Sequence, residues 1–140
     1  MLFRVTPLVL AASLAFAAAP FAALAQSTEA AQPAEAGATI LHFESEAQVE
    51  TLAAEGATVV FFFAPWCPNC RVTLLDLNAR WSEVNPDLTL VIADYDGETE
   101  LKARYGVTYQ DTFVLLDAQG DAVRTWNGGG VGGLNRNTQS

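Results

Sequence analysis

Basic residues are scarce in this sequence. Seven Lys and Arg stand against sixteen Asp and Glu, a formal net charge of −9. So acidic a balance excludes nucleic acid and anionic membrane surfaces as partners, because their binders rely on clustered positive charge. The acids are spread along the chain rather than blocked, which reads as a solvated surface. Partners with basic faces stay open. Histidine is scarcer still, with His42 alone, and cysteine is limited to Cys67 and Cys70. A structural zinc site takes four ligands, usually Cys and His, so zinc would need two that the chain does not supply together. His42 lies far from the cysteines in sequence and reads as solvent-facing or satisfied. There are no internal repeats.

Near the start, Arg4 precedes an apolar run from Val5 to Phe16, and Ala23-Leu24-Ala25 has the small-x-small pattern of a cleavage site. Residues 1–25 therefore read as a secretory signal cut after Ala25. The competing reading is an uncut membrane anchor. Val5 to Ala25 is long enough to span, but it is Ala-rich, carries Pro7 and Pro20, and has no basic stop after it. No cysteine follows the site to take a lipid, and no retention signal ends the chain. A bacterial periplasmic or secreted location is expected, with membrane contact only transient, through the signal. Outside the cytosol a cysteine pair can rest as a disulfide. Loss of Arg4 leaves six basic residues against sixteen acidic ones. Residues 26–38 hold no large apolar side chain and read as a flexible spacer.

The chemistry sits in Thr58 to Arg71, TVVFFFAPWCPNCR. Thr58 to Ala64 is β-branched and aromatic, which suits a buried strand. Pro65 onward is a turn opening a helix. Pro68 fits the first helical position, where a missing N–H removes no bond. Cys67 is then the N-cap, beside unpaired N–H groups and the positive end of the helix dipole, which favour the thiolate. Arg71 adds a positive charge nearby. Cys70 follows one turn on, on the same face and within disulfide reach. Cys67 can attack an external disulfide and Cys70 can resolve the mixed disulfide. A purely structural bridge is the bland alternative, but closing so short a loop contributes little stability.

Around this stretch, strands are expected at Ile40 to Phe43, Leu88 to Ala93, Thr112 to Leu116 and Ala122 to Trp126, the last two as a hairpin turning at Ala118 to Asp121. Helices are expected from Ser45, its N-cap, through Ala54, with Ala47, Leu52 and Ala53 inward and Val49 off the main face. Two more are expected, from Pro68 towards Val84 with Val72, Leu75 and Ala79 on one stripe, and at Glu98 to Tyr105 closed by Gly106. Tyr95, Trp81 and Phe113 read as core. The order matches an α/β sheet with an antiparallel edge.

TVVFFFAPWCPNC resembles the strand and active site of the thioredoxin-like family, and the likeness extends over roughly Ile40 to Trp126. It implies a thioredoxin-like fold, a central mixed sheet of four to five strands flanked by helices, in a domain spanning residues 39–127. It also implies an exported thiol-disulfide oxidoreductase acting on protein thiols or disulfides, with an unidentified redox partner and no organic cofactor. Cys67 and Cys70 would be catalytic, with Pro68 and Asn69 tuning the thiolate. Trp66, Pro68, Gln110, Asp111 and Thr112 would meet substrate; no metal is implied. Four departures stand out. Phe61 and Ile92 occupy the positions of the family's proton-handling carboxylate and lysine, leaving water or an unidentified group as the base for Cys70. Asp94 and Asp96 lie close by on the chain without a nominated role. Asp111 fills the slot of the family's cis-proline, where a trans bond is the default. Altered substrate contact, a side chain pointing to water, or a hard metal co-ligand are its three readings. Finally, five glycines lie between Asn127 and Gly133, so the family's last helix is expected to be lost or shortened and residues 128–140 to form a tail. A partner, a second copy or residual exposure would then account for the uncovered sheet face. Two other functions stay open: a copper-handling or adaptor module using the cysteines as ligands, and a degenerate domain kept for protein contacts.

Overall fold

A run as apolar as Val59 to Phe62 must be covered on both faces, and it forms the central strand of a five-stranded sheet. The computed structural model describes residues 37–139, so the expected signal and most of the spacer lie outside the described residues. The order is β1 (Thr39–His42), α1 (Glu46–Glu55), β2 (Ala57–Phe63), α2 (Pro68–Arg80), β3 (Leu88–Asp94), α3 (Thr99–Tyr105), β4 (Thr112–Leu116), β5 (Ala122–Asn127) and α4 (Gly130–Thr138), with a 3₁₀ turn at Trp81–Glu83. The sheet runs β1-β3-β2-β4-β5, parallel across its first three strands and antiparallel across the last two pairings.

Strand alternation divides the core. Val60 and Phe62 face Val49 and Ala53 of α1 and Leu101 and Tyr105 of α3. Val59 and Phe61 face Leu77 of α2 and Val131 and Leu134 of α4. Phe61, Phe113 and Trp126 are register partners on β2, β4 and β5 and stack in one column, with centroids 4.2 and 5.4 Å apart. Trp81 is half-buried and its indole donates to the Ala38 carbonyl at 2.7 Å, tying the start of β1 to the end of α2.

Two helix faces differ from expectation. In α1, capped by Ser45 through the Gln48 N–H, Val49 is fully buried and Ala47 is exposed. In α2 the stripe Val72, Leu75 and Ala79 faces water, with Val72 and Leu75 about two-thirds exposed; Cys70, Thr73 and Leu77 point inward. Cys70 sets this phase. Once its sulfur packs behind β2, a helix of 3.6 residues per turn carries positions 73 and 77 inward with it.

The last helix is present. It is short, nine residues, but it is neither lost nor a tail, and it covers the sheet face that was expected to be left open. Glycine disfavours helix by about 1 kcal/mol per residue, and here tertiary contacts override it. Val131 and Leu134 are fully buried. Gly129, the N-cap, has no side chain to cap with, and the Asp76 carboxylate of α2 accepts the Val131 N–H instead, at 2.9 Å. Gly130, with φ +48°, leaves room for that carboxylate, which a Cβ would overlap. A Cβ on Gly133 would lie 2.8 Å from the Gly128 carbonyl, so the helix approaches the chain after β5 backbone to backbone. Asn135 completes the docking, donating to the Glu83 carbonyl and accepting from the Asn85 N–H.

These contacts predict opposite outcomes for neighbouring glycines. Gly132→Ala meets only the flexible end of Arg136 and should stabilise by up to about 1 kcal/mol. Gly133→Ala should destabilise by about 1–3 kcal/mol through overpacking. Urea denaturation of the two variants checks both signs; equal effects would mean that α4 is not docked as described.

Candidate active site

The turn after β2 folds back at once: the Cys67 N–H donates to the Ala64 carbonyl at 3.1 Å, and α2 begins at Pro68. Cys67 is the N-cap, in extended conformation, and its sulfur accepts the Cys70 N–H at 3.4 Å. Cys70 sits one turn inside, with no exposed surface, and the Ala64 N–H donates to its sulfur at 3.5 Å. Both are free thiols.

The same neighbourhood treats the two thiols differently. Burial resists the Cys67 thiolate, but the Cys70 N–H, the Cys70 thiol and the Asn69 N–H together outweigh it and hold this thiol below its ordinary value. Asp111 works against them. Burial pushes Cys70 up to about 11, only partly countered by the Ala64 N–H and reinforced by Cys67 and Asp111. The expected cation Arg71 is exposed.

Asp111 faces this pair from the other side of the sheet end. Its N–H donates to the Phe62 carbonyl at 3.0 Å and its carbonyl accepts the Gly128 N–H at 2.8 Å, pinning it between β2 and β5. Its φ is +60°, a left-handed conformation that Asp tolerates better than most residues. Among the described residues no peptide bond is cis. The side chain is 7% exposed, so of its three readings the one in which it points to water is excluded. Its Oδ1 has no hydrogen-bond partner among the described residues. Burial raises its pKa, with the Thr73 hydroxyl opposing. Among the described residues no group of three or more His, Cys, Asp or Glu is placed to hold a metal.

A cavity of about 240 Å³ opens here, lined by Cys67, Asn69, Tyr109, Gln110, Asp111 and Asn127. The structure thus gathers four of the sequence-nominated residues, Cys67, Asn69, Gln110 and Asp111. Cys70 lies behind Cys67. Trp66 does not line the cavity; it is more than half exposed, its indole donating to Asp96 at 2.6 Å. Pro68 is exposed on the first turn of α2 and does not line the cavity. Thr112 does not line it either: it is buried, its hydroxyl donating to the Tyr109 carbonyl at 2.6 Å and accepting from Asn127 at 2.7 Å, so it holds the loop closed. Tyr109 and Asn127 escaped the sequence reading. Tyr109 sits in the nominated loop and was within reach of it; Asn127 needed the β4–β5 register. Tyr95 is half-buried, its hydroxyl donating to the Thr108 carbonyl at 2.9 Å beneath Lys102. His42 is exposed, at the edge of a second cavity of about 210 Å³ between β1 and β3 that also reaches Pro65.

Comparison with known proteins agrees with this geometry. The family model described as Thioredoxin matches residues 39–135. This chain belongs to the thioredoxin family. It is 32% identical to thioredoxin of Bacillus subtilis (strain 168) over 71 residues, 51% of this chain and 67% of that protein. Among solved structures it is similar to Fasciola hepatica thioredoxin, with a TM-score of 0.56 and 28% identity over 73% of this chain and 95% of the other. It also shares its fold with Trxlp from Edwardsiella tarda EIB202, with a TM-score of 0.60 and 21% identity over 73% of this chain and all of the other. The family supports thiol-disulfide exchange in general, and members act on protein disulfides. Against that background, the departures at Phe61 and Ile92 concern register neighbours on β2 and β3: a polar pair is replaced by an apolar one.

Asp111→Asn isolates the cost of the buried carboxyl. Folding raises this group's pKa, so no penalty exists below the unfolded carboxyl value of about 3.9. The penalty grows as pH rises through the folded value. Asn, which also tolerates positive φ, should therefore stabilise the reduced protein by about 1–3 kcal/mol at neutral pH. The gain should vanish near pH 3. Denaturant titration at the two pH values checks this; a loss of stability at neutral pH would contradict it.

Proposed function

We propose that the protein is an exported thiol-disulfide oxidoreductase acting on protein substrates through Cys67 and Cys70. One observation carries the reading: two thiols one helical turn apart, one favoured as thiolate at a helix N-cap and the other buried and held to about 11. The Cys67 thiolate attacks a substrate disulfide. The new Cys67–substrate bond forms as the substrate S–S bond breaks, and one substrate sulfur leaves as a thiolate that takes up a proton. Cys70 then loses its proton and attacks the Cys67 sulfur, closing the Cys67–Cys70 disulfide and releasing the second substrate sulfur. Two electrons pass from protein to substrate, and the reverse sequence oxidises a substrate dithiol. Burial of Cys70 fits this order, because only Cys67 meets the cavity.

Export rests on Arg4, the apolar run after it and Ala23-Leu24-Ala25. Fractionation of expressing bacterial cells should find the processed chain outside the cytoplasm, beginning at Gln26. Retention of the full-length chain in the cytoplasm would remove this part.

The exchange reading predicts that Cys67→Ser abolishes reduction of a protein disulfide, whereas Cys70→Ser accumulates a mixed disulfide visible on a non-reducing gel. Full activity in Cys67→Ser would sink it. The reduction potential adds a signed test. Asp111 raises both thiol pKa values and so disfavours the reduced form. Asp111→Asn should move the Cys67–Cys70 potential, measured against glutathione, to a less negative value.

A further inference from the structure

The mechanism above leaves one group without a purpose. Asp111 is more than nine-tenths buried, lines the cavity that contains Cys67, and has an Oδ1 with no partner. Among the described residues no ion pair involves Asp111; Arg80 is held by Asp76 and Glu83, and Arg104 by Glu46 and Glu50. The other cavity residues, Asn69, Tyr109, Gln110 and Asn127, are uncharged beside Cys67. An uncompensated carboxylate in such a place is expensive, and it is held there by two backbone hydrogen bonds in a left-handed conformation.

We propose that Asp111 receives a cationic residue of the substrate, a Lys or Arg next to the cysteine that Cys67 attacks. The proposal rests on the exchange reading and names the substrate class for it. The opening of the cavity admits a side chain from the same peptide segment that presents its sulfur to Cys67. An ammonium or guanidinium group supplies both the missing donor and the missing charge. A backbone amide supplies only the donor. Opposite charge across a contact from which water is excluded discriminates strongly between partners. The substrates selected are therefore protein disulfides flanked by basic residues.

The test uses short peptide disulfides identical except for the residue beside the cysteine: Lys, Leu or Glu. Rates of Cys67 attack are measured with the reduced full chain, with Asp111→Asn and with Asp87→Asn. Asp87 precedes β3 at the opposite end of the sheet and controls for net charge. The wild type should prefer Lys over Glu by about tenfold or more. Asp87→Asn should keep that preference and Asp111→Asn should lose most of it. Equal wild-type rates would overturn the proposal, as would equal losses in both variants, which would mean long-range charge alone. Asp111→Asn slowing all three peptides alike would also overturn it, because the carboxyl would then serve the thiols and not the substrate. If no peptide exchanges at all, the oxidoreductase reading fails separately. Binding of the same peptides with Ser for Cys, followed by calorimetry, still decides the Lys preference.

Discussion

The column of rings formed by Phe61, Phe113 and Trp126 fixes the geometry on which the rest of the site depends. The two stacked pairs, nearly parallel at 10° and 5°, join three strands across the sheet. Each pair is worth about 0.5–1.5 kcal/mol beyond the area it buries. Each ring also leads directly to a wall of the cavity. The chain beyond Phe61 runs on to Cys67, Asp111 lies two residues before Phe113, and Asn127 follows Trp126. Close-packed interiors deform little, so the distances across the cavity are inherited from one packed layer. Phe61 is where a family-type carboxylate would stand. Its replacement by a ring exchanges a proton-handling group for a rigid, fully buried apolar layer.

What was legible in the sequence was local. The β2 run, the Pro68 start of α2 and the Cys67 N-cap depend on adjacent residues, and their pattern declares them. Ser45 and Gly106 likewise mark helix ends by their own chemistry, with Gly106 in the left-handed conformation at φ +67°. The inward face of α2 was not legible. Hydrophobicity pointed to Val72 and Leu75, but the buried cysteine decides the phase, and it places a threonine, Thr73, inside. The last helix was hidden for a different reason. Its cap comes from Asp76, 55 residues earlier, and its glycines are required by close approach and not by helix propensity. A local scale counts those glycines as breakers because it cannot see the carboxylate or the backbone they accommodate.

The site was half legible. The cysteine pair declared itself by spacing, and Asp111 by standing in an unusual slot. Thr112 was nominated by adjacency, yet strand alternation turns it into the loop, where it bonds Tyr109 and Asn127. The asymmetry of the thiols needed the structure. Burial pushes the Cys70 thiol up with only the Ala64 N–H to oppose it, whereas at Cys67 two N–H groups and the Cys70 thiol outweigh burial.

The position of the carboxyl matters more than its presence. At position 61, which is fully buried, a carboxyl would be desolvated in every state of the protein. At the cavity wall, its desolvation lasts only until a donor enters, so binding of a cation relieves a cost that the free protein carries. The same event acts on the nucleophile. The Asp111 charge opposes the Cys67 thiolate, against the N–H groups that favour it. A cation seated on Asp111 neutralises that opposition while leaving the N–H groups in place, so the thiolate is most favoured when a matching substrate is bound. Recognition and activation of Cys67 are then a single electrostatic event, centred on a residue that the ring column and two backbone hydrogen bonds hold still.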